Sequence, residues 1–355
     1  MTDLPRPDRF SLAPGYEISR VLRGNWQLAG GHGAVDRAEA VEDMIAFADA
    51  GITTFDCADI YTGVEELIGQ FRAQYLNRRG AEALAEVRVH TKCVPDLAKL
   101  ATLTRDQLQE TIDRSRARLG VERLDLVQFH WWDYSAGDWL QAARWLEEFR
   151  IEGRIQFVSG TNFDTDHVAA MLAAGVPIRT MQVQYSLLDR RPEKRMADLA
   201  AEAGVNFLCY GTVAGGFLSD RWLGVADPGA EMENRSLIKY KLIIDDLGGW
   251  DLFQALLGTL RGIADAHGSD IATVASAAML SRPQVAGVIV GARNRAHLAS
   301  NLAISALRLS DRDLAQIDAV LAQGHTLEGD VYTLERDRTG RHGAIMKYNL
   351  NKEEA

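Results

Sequence analysis

Four titratable side chains lie at or just after the carboxyl ends of three consecutive predicted strands. An aspartate closes one strand, a tyrosine follows it by five residues, and a lysine and a histidine close the next two strands: Asp56, Tyr61, Lys92 and His130. A lysine cation lowers the pKa of a neighbouring phenol, and a carboxylate supplies the counter-charge that a buried lysine needs. The set predicts a general acid, Tyr61, that protonates an alkoxide while His130 orients a carbonyl oxygen.

Each of these residue types alone is also typical of a structural role, as a helix cap, a packing aromatic, a rim charge or a hydrogen-bonded core histidine. Their shared position favours chemistry, because active sites of parallel barrels lie at the carboxyl ends of the strands. Protein side chains do not deliver hydride. The set therefore implies a cofactor that does.

Amphipathic segments that end at glycine alternate with short β-branched runs along the chain. Asp36 caps one predicted helix, and Thr104 with Gln107 forms a capping box at the start of another. Strands that alternate with helices indicate a parallel sheet with right-handed crossovers. Eight strands are predicted, at 17–26, 52–56, 87–92, 124–130, 155–160, 180–185, 206–210 and 285–290.

Eight strand–helix units predict an α/β protein, a single (β/α)₈ TIM barrel domain over residues 1–355 with its core at about 17–322. The alternative is an open doubly wound sheet, which would hold a nucleotide on a GxGxxG loop after an early strand. The segment AGGHGAVD at 29–36 lacks that spacing, and GTVAGG at 211–216 comes late. The barrel is therefore favoured.

Two stretches interrupt the strand–helix alternation. Residues 219–250 form an insertion after the seventh strand, and residues 323–355 form a polar tail after the last helix. Long loops in compact domains tend to be functional, so both are expected to cover the barrel mouth. A frayed terminus is the alternative for the tail.

Composition excludes several classes of protein. The formal net charge is -10, which argues against partners among nucleic acids and anionic membranes. The amino terminus is polar and has no secretory signal, so a cytoplasmic protein is expected. The cysteines Cys57, Cys93 and Cys209 have no metal-site spacing, and no metal is predicted. Each neighbours a candidate site residue, so strand alternation predicts that they face the helix layer.

Seven segments of the chain, in order over about residues 17–322, resemble those of the aldo-keto reductases. The segment GITTFDCADIYTGVEELIGQ resembles the family signature with the aspartate and tyrosine, VHTKC the lysine strand, and LDLVQFHWWD the histidine strand. VSGTNF, MQVQYSLLD, FLCYGTVAGGFL and VIVGARNRAHLASNL resemble four cofactor-binding segments. The resemblance implies an NAD(P)H-dependent oxidoreductase that interconverts a carbonyl and an alcohol.

The resemblance also implies roles for individual residues. Asp56 and Lys92 would tune Tyr61, the general acid, and His130 would orient the substrate. The cofactor-binding residues would be Gly24, Asn25 and Trp26 at the nicotinamide ribose, Thr161, Asn162 and Gln184 at the carboxamide, and Tyr210 stacked on the nicotinamide ring. Gly211 and Thr212, in place of the family's serine and proline, would follow that tyrosine, and Gly291, Arg293, His297 and Asn301 would hold the adenosine phosphate and adenine.

The cofactor preference depends on one loop. Arg293 is the candidate partner for a 2′-phosphate because a guanidinium binds phosphate bidentately, so NADP(H) is expected. His297 replaces the arginine or glutamine of many family members, which leaves NAD(H) as the alternative.

The substrate is expected to be a small carbonyl compound, with a sugar-like carbonyl among the candidates, at an aromatic mouth made by Trp26, Trp131 and Trp132. Three alternatives stay open. They are NAD(P)-dependent oxidation of an alcohol or sugar hemiacetal, a non-catalytic NADPH-binding regulatory subunit, and a lyase that uses Lys92 as a Schiff-base nucleophile. The sequence leaves monomer and homo-oligomer undecided.

Overall fold

The structure is a computed structural model that describes residues 6–30, 35–229, 232 and 235–346. Within these residues, ten strands form a two-stranded sheet and a closed parallel barrel. The strands are β1 (Arg9–Ala13), β2 (Tyr16–Ser19), β3 (Val21–Gly24), β4 (Thr54–Asp56), β5 (Arg88–Cys93), β6 (Leu124–Phe129), β7 (Ile155–Thr161), β8 (Thr180–Gln184), β9 (Asn206–Tyr210) and β10 (Val285–Gly291).

Helices follow the barrel strands and surround them. They are α1 (Arg37–Asp49), α2 (Val64–Ala85), α3 (Arg105–Leu119), α4 (Trp139–Ile151), α5 (Thr165–Ala173), α6 (Arg195–Ala203), α7 (Arg235–Leu247), α8 (Gly249–His267), α9 (Ile271–Leu280), α10 (Leu298–Ala306), α11 (Asp311–Leu321) and α12 (Thr333–Arg336). None of the described helices is long and apolar enough to span a membrane.

The barrel closes between its first and last strands. In order round the barrel the strands are β10, β3, β4, β5, β6, β7, β8 and β9, which is the (β/α)₈ barrel predicted from the sequence. The pairing of β4 with β5 and of β5 with β6 is parallel and in sequence order. The carboxyl ends of these strands therefore meet at one face, where the predicted site residues lie.

The predicted first strand, 17–26, is wrong in its bounds. Its first residues belong to β2 (Tyr16–Ser19), which pairs antiparallel with β1, and only Val21–Gly24 enters the barrel. Leu12, Tyr16 and Ile18 from the hairpin pack with Leu22 and with barrel residues in one small apolar cluster. A single β-branched run therefore serves two sheets, which residue pattern alone does not reveal.

Capping fixes where the helices begin. The Asp36 side chain accepts hydrogen bonds from the amides of Ala38 and Glu39, and the capping box of Thr104 and Gln107 is present. A capping side chain satisfies amides that the first helical turn leaves unpaired. These caps confirm the sequence prediction of where the two helices begin.

The main core lies between barrel and helices. Cys57, Cys93 and Cys209 are buried there as free thiols, which confirms that they face the helix layer. Burial raises the pKa of each thiol, so the reactive thiolate form is disfavoured. The three cysteines are packing residues.

The insertion and the tail have structure of their own. Within its described residues the insertion forms one 3₁₀ turn (Asp220–Trp222), α7 and the start of α8, and the tail carries α12. Residues 230, 231, 233 and 234 of the insertion and 347–355 of the tail lie outside the described residues. His342 of the tail contacts Asp246 of α7 through a 2.6 Å Nε2–Oδ2 pair. The two segments therefore pack against each other.

Candidate active site

A buried ion pair lies at the mouth of the barrel. Lys92 Nζ is 2.8 Å from Asp56 Oδ2 and donates also to the carbonyl of Cys57 at 2.9 Å. Both side chains of the pair are less than a tenth exposed. Burial alone lowers the pKa of Lys92, but the Asp56 carboxylate and Tyr61 outweigh burial and hold that pKa above its usual value. Lys92 is therefore a fixed cation.

Two glutamines that sequence reasoning missed complete the surroundings of Asp56. Gln128 and Gln182 both donate to its Oδ1, at 3.0 and 2.6 Å. Each lies two residues before a predicted site residue, His130 or Gln184, on the same face of a strand by alternation. That spacing was a signal that could have identified them. With Oδ1 occupied in this way, Oδ2 is left for Lys92.

Tyr61 lies beside this pair and beneath an aromatic ring at the mouth. The Lys92 ammonium is 5.0 Å from the centre of the Tyr61 ring, and the Trp26 ring is 4.9 Å from it. Burial raises the pKa of Tyr61, while the charge of Lys92 and its hydrogen bond to the phenol oppose that rise. Lys92 lowers the pKa of Tyr61, as expected, but burial raises that pKa by more. The phenol therefore keeps its proton at neutral pH.

His130 is buried against a backbone carbonyl. Its Nδ1 is 3.1 Å from the carbonyl oxygen of Thr161, and because a carbonyl only accepts, Nδ1 carries a proton. Burial, with the nearby cations of Arg336 and Lys92, lowers the pKa of His130 to about 3. The imidazole is therefore neutral, and its Nε2 presents a lone pair rather than a proton.

Of the three tryptophans predicted at the aromatic mouth, Trp26 contacts Tyr61 and Trp132 contacts His130, whereas Trp131 contacts neither residue among the described ring pairs. Trp26 is 40 % exposed, and the Trp132 ring lies edge-on to His130 at 4.6 Å. Trp131 is fully buried and its indole donates to the carbonyls of Asp133 and Ala136. The prediction that Trp131 lines the substrate pocket is wrong. Its ring is fully buried in the core between barrel and helices, where it contacts Phe129.

The residues expected at the nicotinamide lie on adjacent strand ends. The hydroxyl of Tyr210 donates to Asn162 Oδ1 at 2.9 Å, and Asn162 has a positive φ of 59°. Gln184 Nε2 donates to Asp189 Oδ2 at 2.8 Å, whereas its Oε1 is buried without a hydrogen-bond partner among the described residues. Thr161 supplies the carbonyl that holds His130.

The first barrel strand, β3, ends at the same barrel mouth and is followed there by Asn25 and Trp26. Asn25 is buried, and its side-chain amide donates to the carbonyl of Asp56 at 2.9 Å. Gly24 packs so closely that an added Cβ would lie 3.0 Å from the Val290 carbonyl. Asn25 and Gly24 therefore fix the edge of the mouth beneath Trp26.

The loop after β9 is held by the insertion. Gly211 has a φ of +74°, and an added Cβ there would lie 2.2 Å from the Tyr240 hydroxyl of α7. Thr212 is buried with its hydroxyl 3.0 Å from that of Ser276, so its side chain points into the helix layer, away from the predicted cofactor site. The glycine at position 211 therefore leaves room for the Tyr240 hydroxyl.

The predicted adenosine loop follows β10. Asn301 is 7 % exposed and its Nδ2 has no hydrogen-bond partner in the described part of the chain. Gly291, Arg293 and His297 are exposed. A cleft beside Arg293 is lined also by carboxylates of α1 and its cap, namely Asp36, Glu39 and Asp43.

The tail contributes residues to the mouth that sequence reasoning did not name. Arg336 donates to the carbonyls of Trp131 and Trp132, which follow His130, and to that of Asn162 at 2.9 Å. The Tyr332 ring is 6.0 Å from that of His130. The tail therefore covers the mouth, as predicted. Its length and polar composition were the only sequence signal.

Two unpaired buried atoms fit a dinucleotide at this mouth. Oε1 of Gln184 is an acceptor and Nδ2 of Asn301 is a donor, and a buried polar atom without a partner costs free energy. A carboxamide and an adenine carry donors and acceptors that can satisfy such atoms. The residues present are therefore compatible with a nicotinamide dinucleotide.

The sequence is similar to those of several known proteins, among them a reductase. The chain is 30 % identical over 296 residues to flagellar radial spoke protein 5 of Chlamydomonas reinhardtii, with 67 % of this chain covered but only 55 % of that protein's length. It is 24 % identical over 315 residues to the NADH-specific methylglyoxal reductase of Escherichia coli, covering 83 % of this chain and 92 % of that one.

The fold also recurs in solved structures. The glycerol dehydrogenase of Gluconobacter oxydans superposes with a TM-score of 0.73 at 21 % identity, over 93 % of this chain and 98 % of that one. The family model described as "Aldo/keto reductase family" matches residues 20–322. The chain therefore belongs to the aldo/keto reductase family of oxidoreductases.

Proposed function

We propose that the protein reduces an aldehyde or ketone to the alcohol with NADPH, and that Tyr61 donates the proton. The observation that carries this proposal is the neutral, partly buried phenol of Tyr61 beside the Lys92–Asp56 ion pair. A neutral phenol next to a fixed cation can lose its proton to an alkoxide, because the cation stabilises the phenolate that remains.

A bound reduced nicotinamide supplies the hydride. Gln184, Asn162 and Thr161 would contact its carboxamide, and Tyr210 would lie against its ring. The unpaired Oε1 of Gln184 supports this assignment, since it can accept a hydrogen bond from an amide. Gly24, Asn25 and Trp26 would line the ribose side. Among the adenosine-side residues, Asn301 would contact adenine through its unpaired Nδ2.

His130 has a narrower role than the sequence predicts. With Nδ1 donating to Thr161 and the ring neutral, Nε2 accepts a hydrogen bond, and it cannot donate one to a carbonyl oxygen. We assign to His130 the acceptance of a hydrogen bond from the Tyr61 phenol or the product hydroxyl. Tyr61 then remains the one proton donor in our scheme.

The lyase alternative has no support in this geometry. A Schiff base needs a neutral amine, but Lys92 is paired with Asp56 and the pKa of Lys92 lies above its usual value. The ammonium form has no lone pair with which to attack a carbonyl. Lys92 fits an electrostatic role instead.

NADPH is preferred in this proposal because Arg293 is exposed on the adenosine loop and can pair with a 2′-phosphate. The second candidate is NADH, which two observations favour. Carboxylates of Asp36, Glu39 and Asp43 line the cleft beside Arg293, and they would repel a phosphate. One relative is, by its name, NADH-specific.

A titration of tryptophan fluorescence with NADPH and NADH in parallel tests the proposal. We expect tight binding of NADPH and an Arg293→Ala variant that loses affinity for NADPH by about tenfold or more, with little change for NADH. Equal losses for both dinucleotides would remove the 2′-phosphate role from Arg293. Binding of neither dinucleotide to the wild type would contradict hydride transfer.

A further inference from the structure

A continuous network of buried hydrogen bonds connects the predicted carboxamide site to the carboxyl-terminal tail. Gln184 Nε2 donates to Asp189 Oδ2 at 2.8 Å. Arg191 then donates to both oxygens of Asp189, at 2.9 and 2.7 Å, and to both oxygens of Glu335 in α12, at 3.0 and 2.9 Å. All four side chains are at most 4 % exposed. The tail is therefore tied to β8 by two bidentate ion pairs.

This network of hydrogen bonds fixes which way the Gln184 amide faces. A carboxylate only accepts hydrogen bonds, so the amide nitrogen must be the atom that faces Asp189. The amide oxygen then points away from Asp189, buried and without a partner among the described residues. Such an oxygen favours a ligand that offers N–H groups, and it discriminates against a ligand of the same shape that lacks them.

The charges in the network balance only when the tail is in place. Asp189 and Glu335 are two carboxylates on one guanidinium, and Lys239 of the insertion is a second cation nearby. Burial alone raises the pKa of Glu335, but Arg191 and Lys239 hold that pKa at about 2. Without Glu335, Arg191 would lose its second carboxylate, and a half-paired buried ion is strongly destabilised.

Lys239 connects the network to both sides of the mouth. Its ammonium lies 5.4 Å from the centre of the Tyr210 ring and 5.7 Å from that of Tyr332. Tyr210 is the residue expected to stack on the nicotinamide, and Tyr332 neighbours His130. The insertion, the tail and the residue expected to stack on the nicotinamide are therefore joined by contacts of one lysine.

We infer that Glu335 is a positioning residue for Gln184, acting through Arg191 and Asp189, so that docking of the tail and recognition of the nicotinamide carboxamide are thermodynamically linked. The inference rests on the proposed function, because it takes Gln184 as the carboxamide-binding residue. By linkage, the dinucleotide stabilises the docked tail by the same factor with which the docked tail strengthens the dinucleotide's binding.

The test compares NADP⁺ with its 3-acetylpyridine analogue, in which a methyl group replaces the amide nitrogen. We expect the wild type to prefer NADP⁺ by about tenfold, the effect of one hydrogen bond to a buried acceptor. Glu335→Gln should reduce this ratio to about twofold, and Gln184→Leu should abolish it. Glu328→Gln is the matched control, because Glu328 is an exposed residue of the same tail and should leave the ratio unchanged.

A second measurement uses the wild-type protein alone. Hydrogen exchange of peptides that cover residues 327–336 should slow when NADP⁺ binds, and slow less with the 3-acetylpyridine analogue. This readout holds even if Glu335→Gln does not fold. A folded Glu335→Gln protein that keeps the full ratio, or tail exchange that is unaffected by NADP⁺ at saturation, would overturn the inference.

The failure of the inference differs from the failure of the proposed function. If NADP⁺ binds tightly and the ratio does not depend on Glu335, the tail is a cover without a positioning role and the proposed function stands. If the wild type binds neither NADP⁺ nor NADPH nor NADH, the proposed function is contradicted and the inference is overturned with it.

Discussion

At the scale of residues, burial decides the protonation states at the mouth of the barrel. The pKa of Tyr61 rises and that of His130 falls to about 3, mainly because both side chains are removed from water. Both groups are neutral at pH 7, whereas Lys92 and Asp56 form an ion pair. The site thus places a protonated phenol next to a cation.

The pH dependence of the reaction follows from these states. For reduction, the active form is the protonated phenol, which is lost only as pH rises through the raised pKa of Tyr61. The value of kcat/KM should therefore be flat from about pH 6 to 10, and it should fall only above about pH 10, the ordinary pKa of a tyrosine. For oxidation of the alcohol the phenolate is needed, and the rate should rise over the same alkaline range. A limb with a midpoint near pH 6.5 would show that His130 titrates, contrary to its burial.

The four catalytic candidates are residues whose type and spacing are visible in the sequence. Gln128 and Gln182 were missed because an amide in a strand has no chemical signature until the carboxylate that it contacts is known. Trp131 was assigned wrongly because adjacent aromatics in HWWD give no indication of which ring faces the mouth. Their burial, 0 % for Trp131 and 9 % for Trp132, follows from tertiary packing.

At the scale of elements, the alternation of helices and strands was sufficient to predict the barrel. Seven of the eight predicted strands agree with the structure to within one or two residues at each end. The first did not, because the pairing of Tyr16–Ser19 with Arg9–Ala13 is a tertiary choice. The packing of the loop after β9 could not be predicted either, because its partner Tyr240 lies about thirty residues further along the chain.

The contact between that loop and α7 can be tested with one methyl group. Gly211→Ala adds a Cβ 2.2 Å from the Tyr240 hydroxyl at a φ of +74°. It should cost about 1–3 kcal/mol of unfolding free energy in backbone strain and about 1–3 kcal/mol more in overpacking.

Gly216→Ala is the matched control for this substitution. Gly216 also has a positive φ, +102°, but nothing lies within 4 Å of an added Cβ, so only the strain should remain. Urea unfolding measures both variants. Equal losses at Gly211 and Gly216 would mean that Tyr240 does not pack against the loop.

At the scale of the whole molecule, the insertion and the tail close the barrel mouth from two sides. Arg336 donates to the backbone carbonyls of three residues on the loops after β6 and β7, and its guanidinium lies 4.0 Å from the centre of the Tyr134 ring. The sequence shows that both segments are long and polar, but it does not show which carbonyls they reach. These contacts depend on the complete fold.

Loss of Arg336 should therefore affect stability and activity together. Arg336→Met should lower the free energy of unfolding by about 2–3 kcal/mol, because charged hydrogen bonds to partly buried carbonyls are lost, and should reduce kcat/KM by about tenfold as the loops after β6 and β7 loosen. Chemical denaturation and steady-state kinetics measure the two effects.

Arg338→Met provides the comparison. Arg338 lies two residues away, is half exposed and pairs with Asp133 at 3.5 Å, a surface contact that contributes little. Its replacement should change both quantities only slightly. Similar losses in the two variants would show that the tail acts through general charge rather than through the Arg336 contacts.

The proton-donor role of Tyr61 is tested most directly by a Tyr61→Phe variant studied with NADPH and an aldehyde in single-turnover experiments. We expect the dissociation constant for NADPH to stay within a few-fold of the wild-type value. The rate constant for NADPH oxidation should fall by at least about 100-fold, since general acid catalysis contributes that much. A variant that binds NADPH normally and retains most of its turnover would contradict the assignment of Tyr61 as the proton donor.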